Sequence, residues 1–259
     1  MTDKRSNDIS MGEDRLAVEI TEGATPDILW LGGFRSDMTG GKATALADWG
    51  AARGRKVVRF DYRGHGASTG AFENFVISDW LADARAVHTA HCAPGTIAVG
   101  SSMGGWIALL MATALHRAGT PLGGLVLIAP AADFTERLMW PNLPDPVKDA
   151  LQSTGFADLP SDFGTPTRLT IRLFEDGKNH LLYGREPIAV GCPVHILQGV
   201  LDDAVPHAHA MALVERLAHD DVVFTLIKDG DHRLSREADI ERLIAAVAGL
   251  PRTPGAPPA

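Results

Sequence analysis

Val99-Gly100-Ser101-Ser102-Met103-Gly104-Gly105-Trp106 decides the reading of this chain, because it sets a Gly-x-Ser-x-Gly pentapeptide between two runs of different periodicity. Upstream, Thr96-Ile97-Ala98-Val99 reads as a short buried strand. Downstream, Trp106, Ile107, Leu109, Leu110, Ala114 and Leu115 fall on or near one helical face. The backbone must therefore reverse within a few residues. Such a turn crowds Cβ atoms, and Gly100 and Gly104 remove the side chains that would collide there. Ser102 is expected at the tip of the turn and at the positive end of a helix, where unpaired N–H groups favour a developing oxyanion. Ser101 is expected to be structural, since only the middle residue of the pentapeptide is presented.

A serine hydroxyl is a weak nucleophile at neutral pH and needs a base, which in turn needs a group to orient it. Both have candidates downstream. The apolar run Pro193-Val194-His195-Ile196-Leu197 leads into Gln198-Gly199-Val200-Leu201-Asp202-Asp203-Ala204-Val205-Pro206, a strand with a carboxylate just past its end. A further run, Val222 to Ile227, leads into Lys228-Asp229-Gly230-Asp231-His232-Arg233. Loops at the carboxyl ends of parallel strands emerge at one edge of a sheet, so Ser102, an acid and His232 can converge.

The chain order Ser, Asp, His, with Asp61-Tyr62-Arg63-Gly64-His65-Gly66-Ala67-Ser68 after an earlier strand, resembles the α/β-hydrolase superfamily. Within it, Arg59-Phe60-Asp61-Tyr62, Gly100 to Trp106, Cys192-Pro193-Val194, Asp202 to Pro206 and Asp231-His232-Arg233 resemble the branch of mitochondrial acyl-glucuronide esterases and palmitoyl-protein thioesterases. The resemblance runs from about Trp30 to the last helix. It implies a nucleophile at Ser102, an acid at Asp202 and a base at His232. Asp203 is the competing acid, with capping of a helix near Pro206 as its other reading. His65 is implied to buttress the turn of the nucleophile and to take no part in proton transfer.

Ile28-Leu29-Trp30-Leu31 ends in Gly32-Gly33-Phe34-Arg35, where glycines let the backbone turn its N–H groups toward a ligand. The resemblance implies oxyanion donors at the N–H of Met103 and, from this earlier loop, of Phe34. Gly32 stands where a histidine is common, which leaves the anchoring of the loop open. Arg35 is a candidate for a substrate carboxylate, against a solvated or surface-paired side chain.

Composition fits an enzyme with one large core: 259 residues, 45% of them hydrophobic. A formal charge of -8 argues against a nucleic-acid partner. Cys92 and Cys192 are too few for a disulfide framework and imply reduced thiols. Thr2 to Gly12 lacks the apolar run of a secretory signal, and no stretch reaches membrane-spanning length. A cytoplasmic location is the expectation. His-Glu-x-x-His, Cys-x-x-Cys and carboxylate clusters are lacking, so neither metal nor other cofactor is expected.

The expected architecture is one α/β-hydrolase domain, residues 1–259, with a mostly parallel sheet flanked by helices. Strands are expected near 15–20, 27–31, 56–61, 96–100, 123–129, 193–198 and 222–228. Helices are expected near 40–53, 77–91, 103–117, 207–218 and 235–248. Residues 1–12 and the Pro-rich 251–259 are expected to be disordered. Between Pro130 and Pro187 the alternation stops, and a cap of short helices over about 131–187 is expected before the strand that carries the acid. Trp140 is its candidate substrate-binding residue, although most cap hydrophobes are expected to pack against the body. The predicted function is hydrolysis of carboxylic esters or thioesters through an acyl-enzyme, with a small-molecule or acyl substrate. A carbon–carbon bond hydrolase and a non-catalytic binding protein on the same fold are the alternatives.

Overall fold

The computed structural model describes residues 7–160, 166–184, 187–217 and 221–250. Its centre is a seven-stranded sheet. The strands are β3 (Val18–Thr21), β4 (Ala24–Leu31), β5 (Arg55–Phe60), β6 (Ile97–Ser101), β7 (Gly124–Ile128), β10 (Val194–Gly199) and β11 (Val222–Ile227). Their spatial order is β11-β10-β7-β6-β4-β5-β3, and every pairing is parallel except that of β3 with β5. A parallel strand needs a crossover, and helices supply it: α1 (Gly41–Arg53), α2 (Ile77–His91), α3 (Met103–Arg117) and α6 (His207–Arg216), while α7 (Glu237–Gly249) follows the last strand. These lie within a few residues of the spans read from periodicity.

Strand side chains alternate between two apolar layers, which is why the central strands read as unbroken hydrophobic runs. Leu29, Leu31, Ala98, Leu125, Leu127 and Ile196 join the layer containing Trp80 and Val87 of α2 and Trp106 of α3. Ile28, Trp30, Ile97, Val99, Val126, Ile128 and Leu197 face the other way, onto Leu46 of α1 and Leu243 of α7. The carboxyl ends of β4, β6, β10 and β11 consequently share one edge of the sheet.

Two expectations are corrected here. Residues 7–12, expected to be disordered with the rest of 1–12, are ordered: β1 (Ile9–Met11) pairs antiparallel with β2 (Asp14–Leu16), turning at Gly12 with φ +70°. Asp8 secures the pair by accepting from the Val18 N–H at 3.1 Å and from Arg15. Residues 1–6 and 251–259 lie outside the described residues. The segment between β7 and β10 holds more than short helices. After a π-helical turn (Thr135–Met139), a 3-10 turn (Trp140–Asn142) and α4 (Asp145–Thr154), β8 (Phe156–Leu159) pairs antiparallel with β9 (Thr167–Thr170). Then follows α5 (Ile171–Gly177).

Candidate active site

Ser102 joins β6 to α3 with φ +54° and ψ -118°. A non-glycine residue held at positive φ costs about 1–3 kcal/mol, and its neighbours fix it there. The Ser102 N–H donates to the Ile128 carbonyl at 2.9 Å, and the Ser102 carbonyl accepts from Gly105 at 2.9 Å and from Ala131 at 3.1 Å. A Cβ at Gly100 would overlap the Gly104 carbonyl, and one at Gly104 would overlap the Leu31 carbonyl. The pentapeptide glycines are therefore steric requirements of the turn.

The structure brings Ser102, His232 and Asp202 together. His232 Nε2 lies 3.2 Å from Ser102 Oγ, and His232 Nδ1 lies 2.9 Å from Asp202 Oδ2. Asp202 is 5% exposed. Its Oδ1 accepts from the N–H groups of Ala204 at 3.1 Å and Val205 at 2.7 Å, and its Oδ2 accepts from Gln198 Nε2 at 3.1 Å. Both oxygens of this buried carboxylate therefore have hydrogen-bond donors inside the fold. Asp203 is exposed and borders the same cavity as Ser102 and His232, no hydrogen bond joins it to His232 among the described residues, and α6 starts behind Pro206 with no side-chain cap, so the capping role read for Asp203 is not found. The loops bearing the acid and the imidazole are joined by a bond from Leu201 N–H to the Gly230 carbonyl at 2.9 Å.

Gln198 is a contributor that sequence reasoning passed over. It is fully buried on β10, and its amide nitrogen also faces the carbonyls of Gly199 at 3.1 Å and Val205 at 2.9 Å. Three oxygens around one nitrogen fix the amide orientation. The signal available was an uncharged polar residue inside an apolar strand, four positions before the acid.

His65 answers the question left by Gly32. Its Nε2 accepts from the Arg35 N–H at 3.2 Å, and its Nδ1 faces the Arg63 carbonyl at 3.2 Å. Burial pushes its pKa down to about 4, so the ring is neutral and can donate at one nitrogen while accepting at the other. A histidine from the loop after β5 thus anchors the loop after β4, where Arg35 sits at φ +58°. Gly33 backs onto Ser102, since a Cβ there would come within 3.4 Å of the Ser102 Cβ. Met103 opens α3, so its N–H has no acceptor within the helix. Phe34 and Met103 both border a cavity of about 510 Å³ with Ser102 and His232.

Across that cavity lie Ala131, Phe134, Leu138, Met139 and Leu143. Trp140 is not among its lining residues, which corrects the sequence expectation. Its ring packs on Phe174, centroids 5.1 Å apart. A turn of π-helix places Leu138 and Met139 toward the cavity, and no periodicity in a Pro-rich segment announces which side chains will follow.

Residues 35–157 match the family model described as serine aminopeptidase, S33. The chain is 32% identical over 237 residues to palmitoyl-protein thioesterase ABHD10, mitochondrial, of Mus musculus, covering 91% of this chain and 78% of that protein. The chain belongs to the α/β-hydrolase family. Its fold is similar to the solved structure of mouse α/β hydrolase domain-containing protein 10, with TM-score 0.83 and 32% identity over 94% of this chain and 96% of that one. It is also similar to a protein from Agrobacterium vitis S4, with TM-score 0.88 and 44% identity over 94% and 96% of the two chains. The matched curated relatives are named mitochondrial, and this overturns the cytoplasmic expectation. That expectation rested on reduced cysteines and a polar start, and a reducing compartment need not be the cytosol. No helix among the described residues is long and apolar enough to cross a membrane.

Proposed function

We propose that this hydrolase cleaves carboxylic esters or thioesters through an acyl-enzyme on Ser102. The observation that carries the reading is the continuous hydrogen-bond path from Ser102 Oγ through His232 to Asp202, opening on an apolar cavity of about 510 Å³. His232 takes the Ser102 proton as Oγ attacks the acyl carbon, and Asp202 holds the imidazole tautomer and stabilises its charged form. The N–H groups of Phe34 and Met103 bind the tetrahedral oxyanion. Collapse breaks the bond from acyl carbon to oxygen or sulfur, and His232 returns its proton to that leaving atom. Water, deprotonated by the same imidazole, then releases the acid and restores Ser102. Nothing in this sequence of steps draws on a metal or organic cofactor.

The acyl group lies in the apolar cavity, and residues 131–143, the start of the expected cap, form its far wall. The volume falls within the usual range of small-molecule sites, about 300–1,000 Å³. The name of the ABHD10 relatives, palmitoyl-protein thioesterases, supports a long acyl chain and a sulfur leaving atom. The test is covalent labelling by a fluorophosphonate. Ser102→Ala is expected to abolish labelling and turnover, and Ser101→Ala to retain both. Labelling that survives Ser102→Ala would remove the nucleophile from this position.

A further inference from the structure

His232 lies in a loop that is shaped from within but tied to the rest of the protein at few points. Before the imidazole, the Gly230 carbonyl accepts from the Leu201 N–H at 2.9 Å. After it, α7 begins only at Glu237. Between these, Asp231 Oδ1 accepts from the Leu234 N–H at 3.0 Å, and Ser235 Oγ donates to the Arg233 carbonyl at 3.0 Å. Leu234 is held at φ +43°, and its buried side chain joins the apolar layer of α1 and α7. Such a conformation is strained for a residue with a side chain and persists only where its surroundings over-determine it. Bonds inside the loop give it its turn, but they do not set where that turn sits relative to Ser102.

Lys42 is the tie from outside. It is the second residue of α1, 191 positions from Arg233 in sequence. Its ammonium donates to the Arg233 carbonyl, with Ser235 Oγ at 3.4 Å, and Asp231 attracts the same charge. Both chain neighbours of His232 are thus engaged by one cation, Arg233 through its carbonyl and Asp231 through its carboxylate. Among the described residues, Lys42 is the only hydrogen-bond partner that residues 231–235 have outside their own loop, the His232 ring aside. α1 follows directly on the connection that carries the Phe34 N–H. That connection is anchored in turn, by the Arg35 N–H on His65 and by the Met38 N–H on Asp61 Oδ1 at 2.7 Å.

We propose that Lys42 is a positioning residue, which as an ammonium holds the His232 loop against α1 and so keeps the imidazole within reach of Ser102 Oγ. The inference rests on the reading of His232 as the base of the hydrolase. Lys42 is half-buried. Burial pushes its pKa down to about 8, against the pull of Asp231 and Asp239 and with the push of Arg233. Arg35, Asp37 and His232 border the cavity that Lys42 also lines. Carboxylates and guanidinium groups ordinarily keep their charge above neutral pH, so the lysine is the group beside the loop that changes state there. Loss of its proton turns a charge-assisted bond into an ordinary one, about half as strong, and ends the attraction to Asp231.

Two rates read the placement of the imidazole: labelling of Ser102 by a fluorophosphonate, and kcat for p-nitrophenyl octanoate. Lys42→Met is expected to lower both about tenfold at pH about 7, with KM within about twofold of wild type, because a catalytic group displaced by about 1 Å can cost more than that. Wild type is expected to lose both rates several-fold on passing from pH about 7 to about 9.5, in an alkaline limb near 8. Lys42→Arg, whose guanidinium stays charged, is expected to keep the neutral-pH rates within a few-fold and to lack that limb. A lysine with a merely structural role would lower the unfolding temperature in its variants and leave the limb in place. Labelling of Lys42→Met at the wild-type rate, a loss confined to KM, a wild-type profile flat to pH about 10, or a limb unmoved in Lys42→Arg overturns this proposal, while a labelled Ser102 preserves the hydrolase reading. A wild-type protein in which Ser102 is not labelled at all overturns both.

Discussion

The two walls of the apolar cavity are made by different means. On the sheet side, Ser102, Asp202 and the Arg35 loop are held by backbone bonds to Ile128, Val205 and His65, with glycines at Gly100 and Gly104 where no larger residue fits. On the facing side, between β7 and β10, Phe134, Leu138, Met139 and Leu143 present apolar side chains from irregular turns and a Pro-rich connection. A wall fixed by the backbone keeps reacting atoms within a few tenths of an ångström. A wall of interchangeable hydrophobes can be re-sized without disturbing them. On the proposed function, chemistry belongs to the first and length preference to the second.

The sharpest way to break this division is at the acid. Asp202→Asn is expected to lower kcat by about 10⁴, the size seen for the equivalent change in a serine protease of unrelated fold, with little change in unfolding temperature. Asp203→Asn is expected to stay within a few-fold of wild type. The opposite ranking in steady-state kinetics would move the acid to Asp203.

Next in size is the anchor of the loop after β4. His65 is neutral in the folded protein because burial lowers its pKa from 6.5 to about 4. Its contribution to stability is fully present above about 6.5 and is lost as pH falls toward about 4, a span worth about 3 kcal/mol. Urea unfolding at pH about 7.5 and about 4.5 is expected to show a smaller acid-side loss for His65→Gln than for wild type, by about that amount. Equal losses in the two proteins would mean that the ring is not buried neutral.

Gln198→Leu removes a donor to Asp202 and is expected to cost about tenfold in kcat, in line with the loss of one hydrogen bond to a charged group. KM is expected to change little, because the side chain is remote from the cavity. A change confined to KM or to thermal stability would make Gln198 a core residue and not a positioning one.

The smallest effects belong to the facing wall. Each buried methylene is worth up to about 0.8 kcal/mol, so kcat/KM is expected to rise several-fold per added pair of acyl carbons until the cavity is full. Leu138→Ala and Met139→Ala are expected to move the best chain length up by about two carbons. Trp140→Ala, packed on Phe174 away from the cavity, is expected to lower stability and leave the length profile unchanged. A profile that moves with Trp140 and not with Leu138 would redraw the acyl site.

Wherever a local rule operated, the sequence alone determined the outcome. The pentapeptide placed Ser102 at the strand-to-helix turn, since Cβ crowding there excludes other arrangements, and hydrophobic periodicity located the main helices to within a few residues. The chain order of strand-end residues singled out His232 and an acid at Asp202 or Asp203 as groups able to meet Ser102, because parallel strands deliver their carboxyl ends to one edge, and only the family resemblance favoured Asp202. Relations between distant segments were decided only by the tertiary structure. The bond from Arg35 to His65 joins two loops that share no sequence signal, and Gln198 is recognisable as a support for Asp202 only once β10 and its loop have folded. In the segment after β7, prolines and a π-helical turn remove any fixed period. Whether Leu138 or Trp140 faces the substrate therefore follows from packing, not from spacing.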